Sequence, residues 1–541
     1  MHRIRALLAC GVLCLSVWAA HAEPGQPARI SAPPMGWSSW NSFSNTIDAR
    51  IVMQQARAMI STGLKRAGYQ YINIDEGWWL GQRDAKGNIV VNRKAWPALA
   101  PGEHAGDMAN IVRYIHGLGL KAGIYTDAGF NGCSSMYPDI GPKYLHTGSQ
   151  GHYDQDFLQF ARWGFDYVKV DWCGGDEEHL DPSVQYAEIA HAIERAERLT
   201  GHKLYFSICE QGTDSPWTWA PHIGGMDADI WRTSRDIVAP IVASSPHANR
   251  KASFAHVISN FEEGIHPAAE HTGFYNDPDM LVAGMPGLTA EQDRVHMALW
   301  AVSGAPLLIG ADLTKLNDAT LKTLKNPMML AIDQDRLGLQ AIEVARPGRG
   351  LEVWSKRLAT PGERAVVLLN RTSSPARIAV QWNDLGLVPS SPVQVTNVWT
   401  GKTLGLLRNS YAAAVPANDA IFLLLRGREG GMNRYTPLRS GERHAPETPA
   451  GKDAPVRFSG VVSSHRWAAI AITYTNPSAS PRYAKLHVNG MVGTWIEFPP
   501  TGNRARVVWI QAKLERNSAG NVLAFSARCA PSARISSIEV Q

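Results

Sequence analysis

Short apolar runs alternate with amphipathic segments over residues 33–330 of this 541-residue chain. Eight runs are candidate strands, at residues 35–37, 71–75, 122–126, 167–171, 204–209, 230–233, 276–280 and 306–310. Between two of them, Met108, Ile111, Val112 and Ile115 recur at the spacing of one helix face. Eight strand–helix units predict an α/β fold, a (β/α)8 TIM barrel, with a doubly wound open sheet as the alternative.

Acidic residues stand at or just past the carboxyl ends of these candidate strands. The six are Asp75, Asp127, Asp171, Glu210, Asp236 and Asp279. Barrel enzymes carry their chemistry on this rim of the barrel. Helix capping is the competing explanation, but it accounts for one or two such acids more readily than for six.

The pattern changes after residue 335. Short strand-like runs separated by turn residues predict an antiparallel β-sandwich at 336–426. Residues 427–455 are rich in Gly, Pro, Arg and Glu and predict a linker. Residues 456–541 are strand-like again and predict a second small β-sandwich. The catalytic barrel is thereby assigned to residues 23–335.

The amino terminus has the pattern of a secretory signal peptide at residues 1–22. Arg3 and Arg5 form a basic start, an apolar run follows, and Ala20-His21-Ala22 fits a cleavage site. We therefore expect a secreted or periplasmic protein with cleavage before Glu23. No other segment of the sequence is apolar enough to span a membrane.

The charge balance and the cysteine spacing exclude several functional classes. With 53 basic and 48 acidic residues, the chain lacks the strong positive charge of a nucleic-acid-binding protein. The absence of C-x-x-C and H-E-x-x-H motifs gives a zinc site little support. We expect no cofactor and no required metal. A metal site formed by Asp277, Asp279 and His271 is the alternative, although Asp-Pro-Asp is also ordinary turn chemistry.

One candidate strand places a lysine and an acid on the same face. Side chains alternate along a strand, so Lys169 and Asp171 point the same way. A neighbouring ammonium favours the ionised carboxylate, as a nucleophile requires. A structural ion pair at a strand end is the alternative explanation.

Further acids could complete a sugar-cleaving site. Asp236 follows a later strand, and two carboxylates facing one glycosidic bond are the basic requirement of glycoside hydrolysis. Asp75 and Glu76 precede Trp78 and Trp79; such acids can bind sugar hydroxyls while an aromatic ring covers the apolar face. A solvated loop beside core tryptophans is the other reading of that segment.

In this order, the motifs resemble glycoside hydrolase family 27, the α-galactosidases, over residues 33–425. The motifs are Pro34-Met-Gly-Trp-Ser-Ser-Trp40-Asn, Ile74-Asp-Glu-Gly-Trp, Ala122-Gly-Ile-Tyr125-Thr-Asp, Lys169-Val-Asp171-Trp-Cys173, Trp231-Arg232 with Asp236, and Asn276-Asp-Pro-Asp279-Met280.

The resemblance implies a retaining double displacement with two catalytic aspartates. Asp171 matches the nucleophile and Asp236 the acid/base. The resemblance implies substrate-binding roles for Trp40, Asp75, Glu76, Tyr125, Lys169, Glu210, Arg232 and Asp279. It also implies a disulfide between Cys133 and Cys173, which would leave Cys209 and Cys529 as free thiols.

The acid pair departs from the family pattern. It is Asp75-Glu76 here, whereas α-galactosidases usually have Asp-Asp. Glu is one methylene longer and should crowd the hydroxymethyl arm of galactose, which L-arabinopyranose lacks. The main expectation is an α-galactosidase, with a β-L-arabinopyranosidase as the alternative. The family also contains α-N-acetylgalactosaminidases and isomaltodextranases.

Two rivals belong to other classes: a non-catalytic sugar-binding protein, which would lack a carboxylate, and a metal-dependent hydrolase.

The carboxyl-terminal domain resembles carbohydrate-binding modules of family 35 or its neighbours. The supporting residues are His487-Val-Asn-Gly490 and Phe498-Pro-Pro-Thr-Gly502. The expected partner is a small-molecule or oligosaccharide substrate ending in galactose or arabinopyranose.

Overall fold

The structure is a computed structural model that describes residues 32–136, 145–223, 228–238, 250–270, 273–438, 455–526 and 533–541. Outside the described residues lie the predicted signal peptide, His271, Cys529 and residues 439–454 of the predicted linker. Among the described residues, no helix combines the length and the apolar character needed to cross a bilayer.

Eight parallel strands form the first domain. They are β1 Met35–Ser38, β2 Tyr71–Asn73, β3 Lys121–Asp127, β4 Tyr167–Asp171, β5 Tyr205–Cys209, β6 Ile230–Arg232, β7 Tyr275–Asp277 and β8 Leu307–Ile309. Strands β1 to β7 pair in chain order, and β8 pairs with β1. A parallel bridge between Leu281 and Ile309 joins the β7 side to β8. The predicted barrel is confirmed, and the open sheet is wrong because this bridge closes the sheet.

Helices surround the strands. The longer ones are Ala49–Ser61, Ala109–Gly117, Tyr153–Trp163, Pro182–Thr200, Phe254–Glu263 and Ala290–Ser303; the shorter ones are Trp40–Phe43, Leu64–Ala67, Cys173–Glu177, Asp318–Leu324 and Pro327–Asp333. Local sequence sets their ends: the Asp181 side chain caps one helix amino terminus, and left-handed Gly201 ends that helix. Between β5 and β6, the described residues form only two 3₁₀ turns, Pro216–Thr218 and Ala220–His222.

Alternation along the strands builds the barrel interior in layers. Tyr71, Tyr167, Tyr205, Ile230 and Tyr275 form one buried apolar cluster inside the barrel. Residues two positions further along these strands point to the same side, because side chains alternate with period two. They are polar: Asn73, Lys169, Ser207, Arg232 and Asp277. The tyrosine layer is therefore the floor beneath a polar layer.

The second domain is an antiparallel β-sandwich. One sheet has the order Ile342–Gly348, Leu351–Arg357, Glu363–Asn370, Asp419–Arg426, Val393–Asn397 and Thr403–Leu407, and the other pairs Ala376–Gln381 with Ser410–Val415. The sandwich was predicted, but three of its strands were not among the predicted runs: Ile342–Gly348, Thr403–Leu407 and Ser410–Val415. Leu404 and Leu406 are exposed on the second of these, so it lacks the alternation of a half-buried strand.

The third domain contains two four-stranded antiparallel sheets. One has the order Asn433–Tyr435, Arg534–Val540, Trp467–Thr475 and Arg506–Lys513; the other has Val456–Val461, Asn521–Ser526, Arg482–Val488 and Met491–Phe498. The first strand lies within the segment predicted as a linker. Its pairing partner is more than ninety residues away in sequence, at Ile538 to Val540, and local composition does not reveal such a contact.

Candidate active site

A cavity lined by the polar layer of the barrel contains about 410 Å³ of empty space, part of it open to solvent. Its lining includes four of the predicted site residues: Asp75, Lys169, Arg232 and Asp279. They come from β4 and β6 and from the segments that follow β2 and β7. The closed barrel brings these strand ends together although the residues span two hundred positions of sequence.

Lys169 joins two carboxylates at this cavity. Its Nζ lies 3.1 Å from Asp75 Oδ2 and 3.4 Å from Asp171 Oδ2. Burial disfavours the charged ammonium, but Asp171 and Asp75 outweigh burial and raise the pKa of Lys169 well above its ordinary value. The lysine is therefore a fixed cation beside Asp171, and the predicted same-face pair is confirmed.

Arg232 joins a second pair of carboxylates. Its Nη2 lies 3.2 Å from Asp236 Oδ1 and 3.2 Å from Asp279 Oδ2. The Asp236 side chain is 36% exposed, whereas that of Asp279 is 3% exposed. A carboxyl that faces solvent can exchange protons with water, and one buried against an arginine is held in place.

Asp279 has strained backbone geometry, and both of its carboxylate oxygens have hydrogen-bond partners. Its φ of +85° lies in the left-handed region, which is uncommon for a residue with a side chain. The carboxylate accepts hydrogen bonds from the backbone N–H groups of Ile237 and Met280 besides the Arg232 contact. Burial raises the pKa of Asp279 to about 6, with Arg232 opposing the rise. These three donors hold the Asp279 carboxylate in one position.

Glu76 is turned toward the loop that carries the disulfide. Cys133 and Cys173 form a disulfide, as the resemblance implied. Glu76 accepts hydrogen bonds from the backbone N–H and the Oγ of Ser134, the residue after Cys133. The Asp127 carboxylate accepts hydrogen bonds from the N–H groups of Gly129, in the segment before Cys133, and of Gly174, the residue after Cys173. The disulfide segment thus holds the carboxyl group of Glu76, the residue that follows the cavity-lining Asp75, in one position.

The protonation of Glu76 predicts a pH-dependent stability. Burial raises its pKa from 4.5 to about 8, although the Ser134 hydrogen bonds oppose the rise. Because the pKa of Glu76 is higher in the folded protein than in the unfolded chain, protonated Glu76 stabilises the fold. This contribution to the free energy of unfolding is complete below pH 4.5 and is lost as the pH rises through about 8. We expect the melting temperature to fall less steeply across this window in Glu76→Gln than in the wild type. Exposed Glu515→Gln should follow the wild type; parallel curves for all three proteins would contradict the assignment.

The remaining predicted residues lie around the same strand ends. Tyr125 is buried, its ring lies 5.2 Å from Lys169 Nζ, and its hydroxyl has no partner among the described residues. Trp40 packs with Met280 and Leu308, and both of these residues line the cavity.

Glu210 is buried immediately after β5. Its Oε2 accepts from the N–H of Asp214, and its Oε1 has no partner among the described residues. Burial raises the pKa of Glu210 to about 8. A buried carboxyl with an unused oxygen has the capacity to bind a sugar hydroxyl.

Several cavity residues were absent from the predicted set. They are Ser38, Asn73, Ser207, Cys209 and Asp277; Cys209 had been assigned only as a free thiol, which is confirmed, and Asp277 only as a possible metal ligand. Counting back two positions from each strand-end acid identifies Asn73 from Asp75, because alternate residues share a face. The same count identifies Asp277 from Asp279. Counting forward by two from Tyr205 along its strand identifies Ser207 and Cys209 for the same reason.

A carboxylate-lined cavity at the carboxyl end of a closed barrel, with Asp171 and Asp236 each held by a cation that lines it, is typical of a glycoside hydrolase. Three family models match consecutive parts of the chain. Residues 32–335 match "Alpha galactosidase A", and residues 348–425 match "Alpha galactosidase C-terminal beta sandwich domain". Residues 455–539 match "Alpha-galactosidase, CBM13 domain". The third domain is thus similar to a carbohydrate-binding module, but of a different numbered family from the one the sequence suggested.

Comparison with known proteins and solved structures gives the same family as these family models. An alpha-galactosidase from Cyamopsis tetragonoloba is 36% identical over 73% of this chain and 86% of its own length. The crystal structure of alpha-galactosidase I from Mortierella vinacea is 28% identical, covers 74% of this chain and 98% of that one, and has a TM-score of 0.63. A family 27 β-L-arabinopyranosidase from Geobacillus stearothermophilus shares the fold at 22% identity and a TM-score of 0.60, over 73% of this chain and 97% of that one. The chain belongs to the alpha-galactosidase family.

Proposed function

We propose that this protein is a retaining exo-glycosidase that releases terminal non-reducing α-D-galactosyl residues from galactosides and galacto-polysaccharides. One observation carries the proposal: Lys169 and Arg232 line the same cavity, and each holds one of the two candidate catalytic acids. A non-catalytic sugar-binding protein would not need both acids, and both are present.

The first step assigns different tasks to the two acids. Asp171, 6% exposed and next to the Lys169 cation, attacks the anomeric carbon as a carboxylate. The bond to the leaving oxygen breaks as Asp236 gives that oxygen its proton, which leaves a galactosyl ester on Asp171.

The second step reverses these roles. Asp236, now a carboxylate, takes a proton from water, and the resulting hydroxide attacks the anomeric carbon from the face that the leaving group vacated. The ester bond to Asp171 breaks, and galactose leaves with its original anomeric configuration. Two inversions at one carbon give net retention.

The buried polar groups of the cavity bind the sugar. Asp75 lies 3.1 Å from the Lys169 ammonium, and its carboxyl oxygens can accept hydrogen bonds from ring hydroxyls. Arg232, Glu210 and Asp279 supply further contacts on the β5–β7 side, and Trp40 and Tyr125 form apolar walls. A pocket with a closed tyrosine floor favours removal of a chain end over internal cleavage.

A β-L-arabinopyranosidase is the second candidate, and Glu76 is the observation that favours it. Ser134 holds the longer acid in place, so the carboxylate cannot swing aside to admit a hydroxymethyl group without losing its hydrogen bonds. One methylene in a pocket changes discrimination by about 1–3 kcal/mol.

Glu76→Asp tests the balance between these two substrates. We expect the ratio of kcat/KM on nitrophenyl α-D-galactoside to that on nitrophenyl β-L-arabinopyranoside to rise by about tenfold or more in the variant. The ratio removes effects common to both substrates, and Asp84→Glu, a change of one methylene at the barrel surface, is the matched control. An unchanged ratio would refute the steric role of Glu76.

The domain limits and export are further parts of the proposal. We assign residues 23–335 to the catalytic barrel, 336–426 to the sandwich and 456–541 to the module, with the strand at Asn433–Tyr435 added to the module because it pairs there. Residues 1–22 are proposed as the export signal. The intact mass of protein recovered from outside the producing cell should correspond to a chain that begins at Glu23; a chain that begins at Met1 would contradict this.

A further inference from the structure

The wall of the barrel between β5 and β6 is unusual in what covers it. The described residues of this connection contain the two 3₁₀ turns, Pro216–Thr218 and Ala220–His222, and no longer helix. The strand Met491–Phe498 of the C-terminal module packs against both turns. The module therefore covers a part of the barrel where its own helical layer is thin.

Aromatic side chains form the centre of this contact. The His222 ring stacks on Tyr483 at a centroid distance of 4.2 Å and meets Trp495 at 4.7 Å. Tyr483 packs against the hydrophobic core of the barrel, and it is absent from the core cluster of its own module. Thr494 Oγ1 lies 3.5 Å from the carbonyl oxygen of Trp217.

Hydrogen bonds link the segment from Trp217 to His222, which the module contacts, to Glu210 of the proposed active site. Trp219 Nε1 donates to the carbonyl of Asp214 at 3.0 Å, and the Asp214 N–H donates to Glu210 Oε2 at 2.9 Å. Glu210 keeps a free Oε1 for a substrate hydroxyl. The His222 N–H donates to the carbonyl of Trp219 at 3.2 Å, so the path from the module to Glu210 runs through His222, Trp219 and Asp214.

The same segment connects to the nucleophile on the other side. The Trp219 ring stacks on Tyr186 at 5.9 Å. The Tyr186 hydroxyl lies within hydrogen-bond distance of the carbonyl oxygens of Val170 and Asp171, at 3.0 and 3.3 Å. A shift of the segment would therefore be transmitted to the end of β4.

We propose that the C-terminal module is a positioning element of the active site: Tyr483 and Trp495 hold the segment from Trp217 to His222, and this segment fixes Glu210 and the end of β4. The inference rests on the proposed function, because Glu210 and Asp171 act there on substrate. It also assigns these two aromatic side chains to an internal contact rather than to a sugar-binding surface.

The test removes the aromatic contact in the full-length protein. We expect Tyr483→Ala/Trp495→Ala to lower kcat/KM on nitrophenyl α-D-galactoside on the order of tenfold, because small displacements of catalytic groups are costly. Tyr483→Phe keeps the ring and should retain wild-type activity. Trp509→Ala is the matched control, since this module tryptophan lies over Arg357 of the sandwich instead.

A double-mutant cycle separates positioning from general destabilisation. In a Glu210→Gln background, the module variant should cause a clearly smaller further loss, because the group that it positions is already altered. Full additivity in this cycle, or kcat/KM within twofold of wild type in the double variant, overturns the inference. If the double variant does not fold, His222→Ala tests the same contact from the barrel side by the same criteria. If the wild-type enzyme cleaves the galactoside, the proposed function stands whichever result the module variants give.

Discussion

Asp171→Ala is expected to lower kcat on nitrophenyl α-D-galactoside by about 10⁴-fold or more, because the first covalent bond of the reaction can no longer form. The fold should survive, since Lys169 keeps Asp75 as a partner 3.1 Å away. A melting temperature near that of the wild type would establish this. Near wild-type turnover by the variant would refute the nucleophile assignment and, with it, the mechanism.

Added azide makes the Asp171 test specific to the nucleophile. The alanine side chain leaves space on the face from which the carboxylate attacked, and azide can enter there while Asp236 protonates the leaving oxygen. One displacement then gives β-galactosyl azide, with inverted configuration. Asp127→Asn is the matched control, because Asp127 is a buried acid that pairs in register with Asp171 on the neighbouring strand. We expect no azide rescue in that variant.

Asp236→Ala is expected to have the second largest effect, about 10²–10⁴-fold on a substrate with a poor leaving group such as a galactosyl disaccharide. With a dinitrophenyl leaving group, the rate of formation of the galactosyl enzyme should fall much less, because that group departs without a proton. Arg232 retains Asp279 as an ion-pair partner, so the site should stay assembled.

Azide again reports the role of the missing acid. In Asp236→Ala, Asp171 still forms the galactosyl ester, and azide needs no general base to attack it. The product should be α-galactosyl azide, with retained configuration. Equal losses for good and poor leaving groups, or a β-azide product, would contradict the acid/base role. The opposite stereochemistry of the two rescued products distinguishes the roles of the two aspartates within one assay.

Much of the site could be predicted because it depends on local chain geometry. The alternation of side chains along β4 places Lys169 and Asp171 together regardless of what surrounds the strand. The carboxyl ends of parallel strands meet at one rim, so strand-end acids were expected to converge. Asp75 and Asp279 line one cavity for that reason.

Other features depended on contacts between distant parts of the chain. Nothing in the sequence near Glu76 indicates that Ser134, fifty-eight residues later, would donate hydrogen bonds to both of its carboxyl oxygens. The strand Ser410–Val415 is rich in alanine, which has low strand propensity, and it forms because six of its residues pair with Ala376–Gln381.

The sequence by itself determined the strand–helix alternation, the acids at the strand ends and, through its motifs, the family of the chain. These features depend on residue order over a few positions, where backbone periodicity fixes direction. Tertiary structure alone decided which acid each cation holds, where Glu76 points and what covers the thin wall between β5 and β6. Those outcomes depend on packing between segments that are far apart in the chain, and the free energy of such contacts exists only once the barrel has closed and the C-terminal module has docked on it.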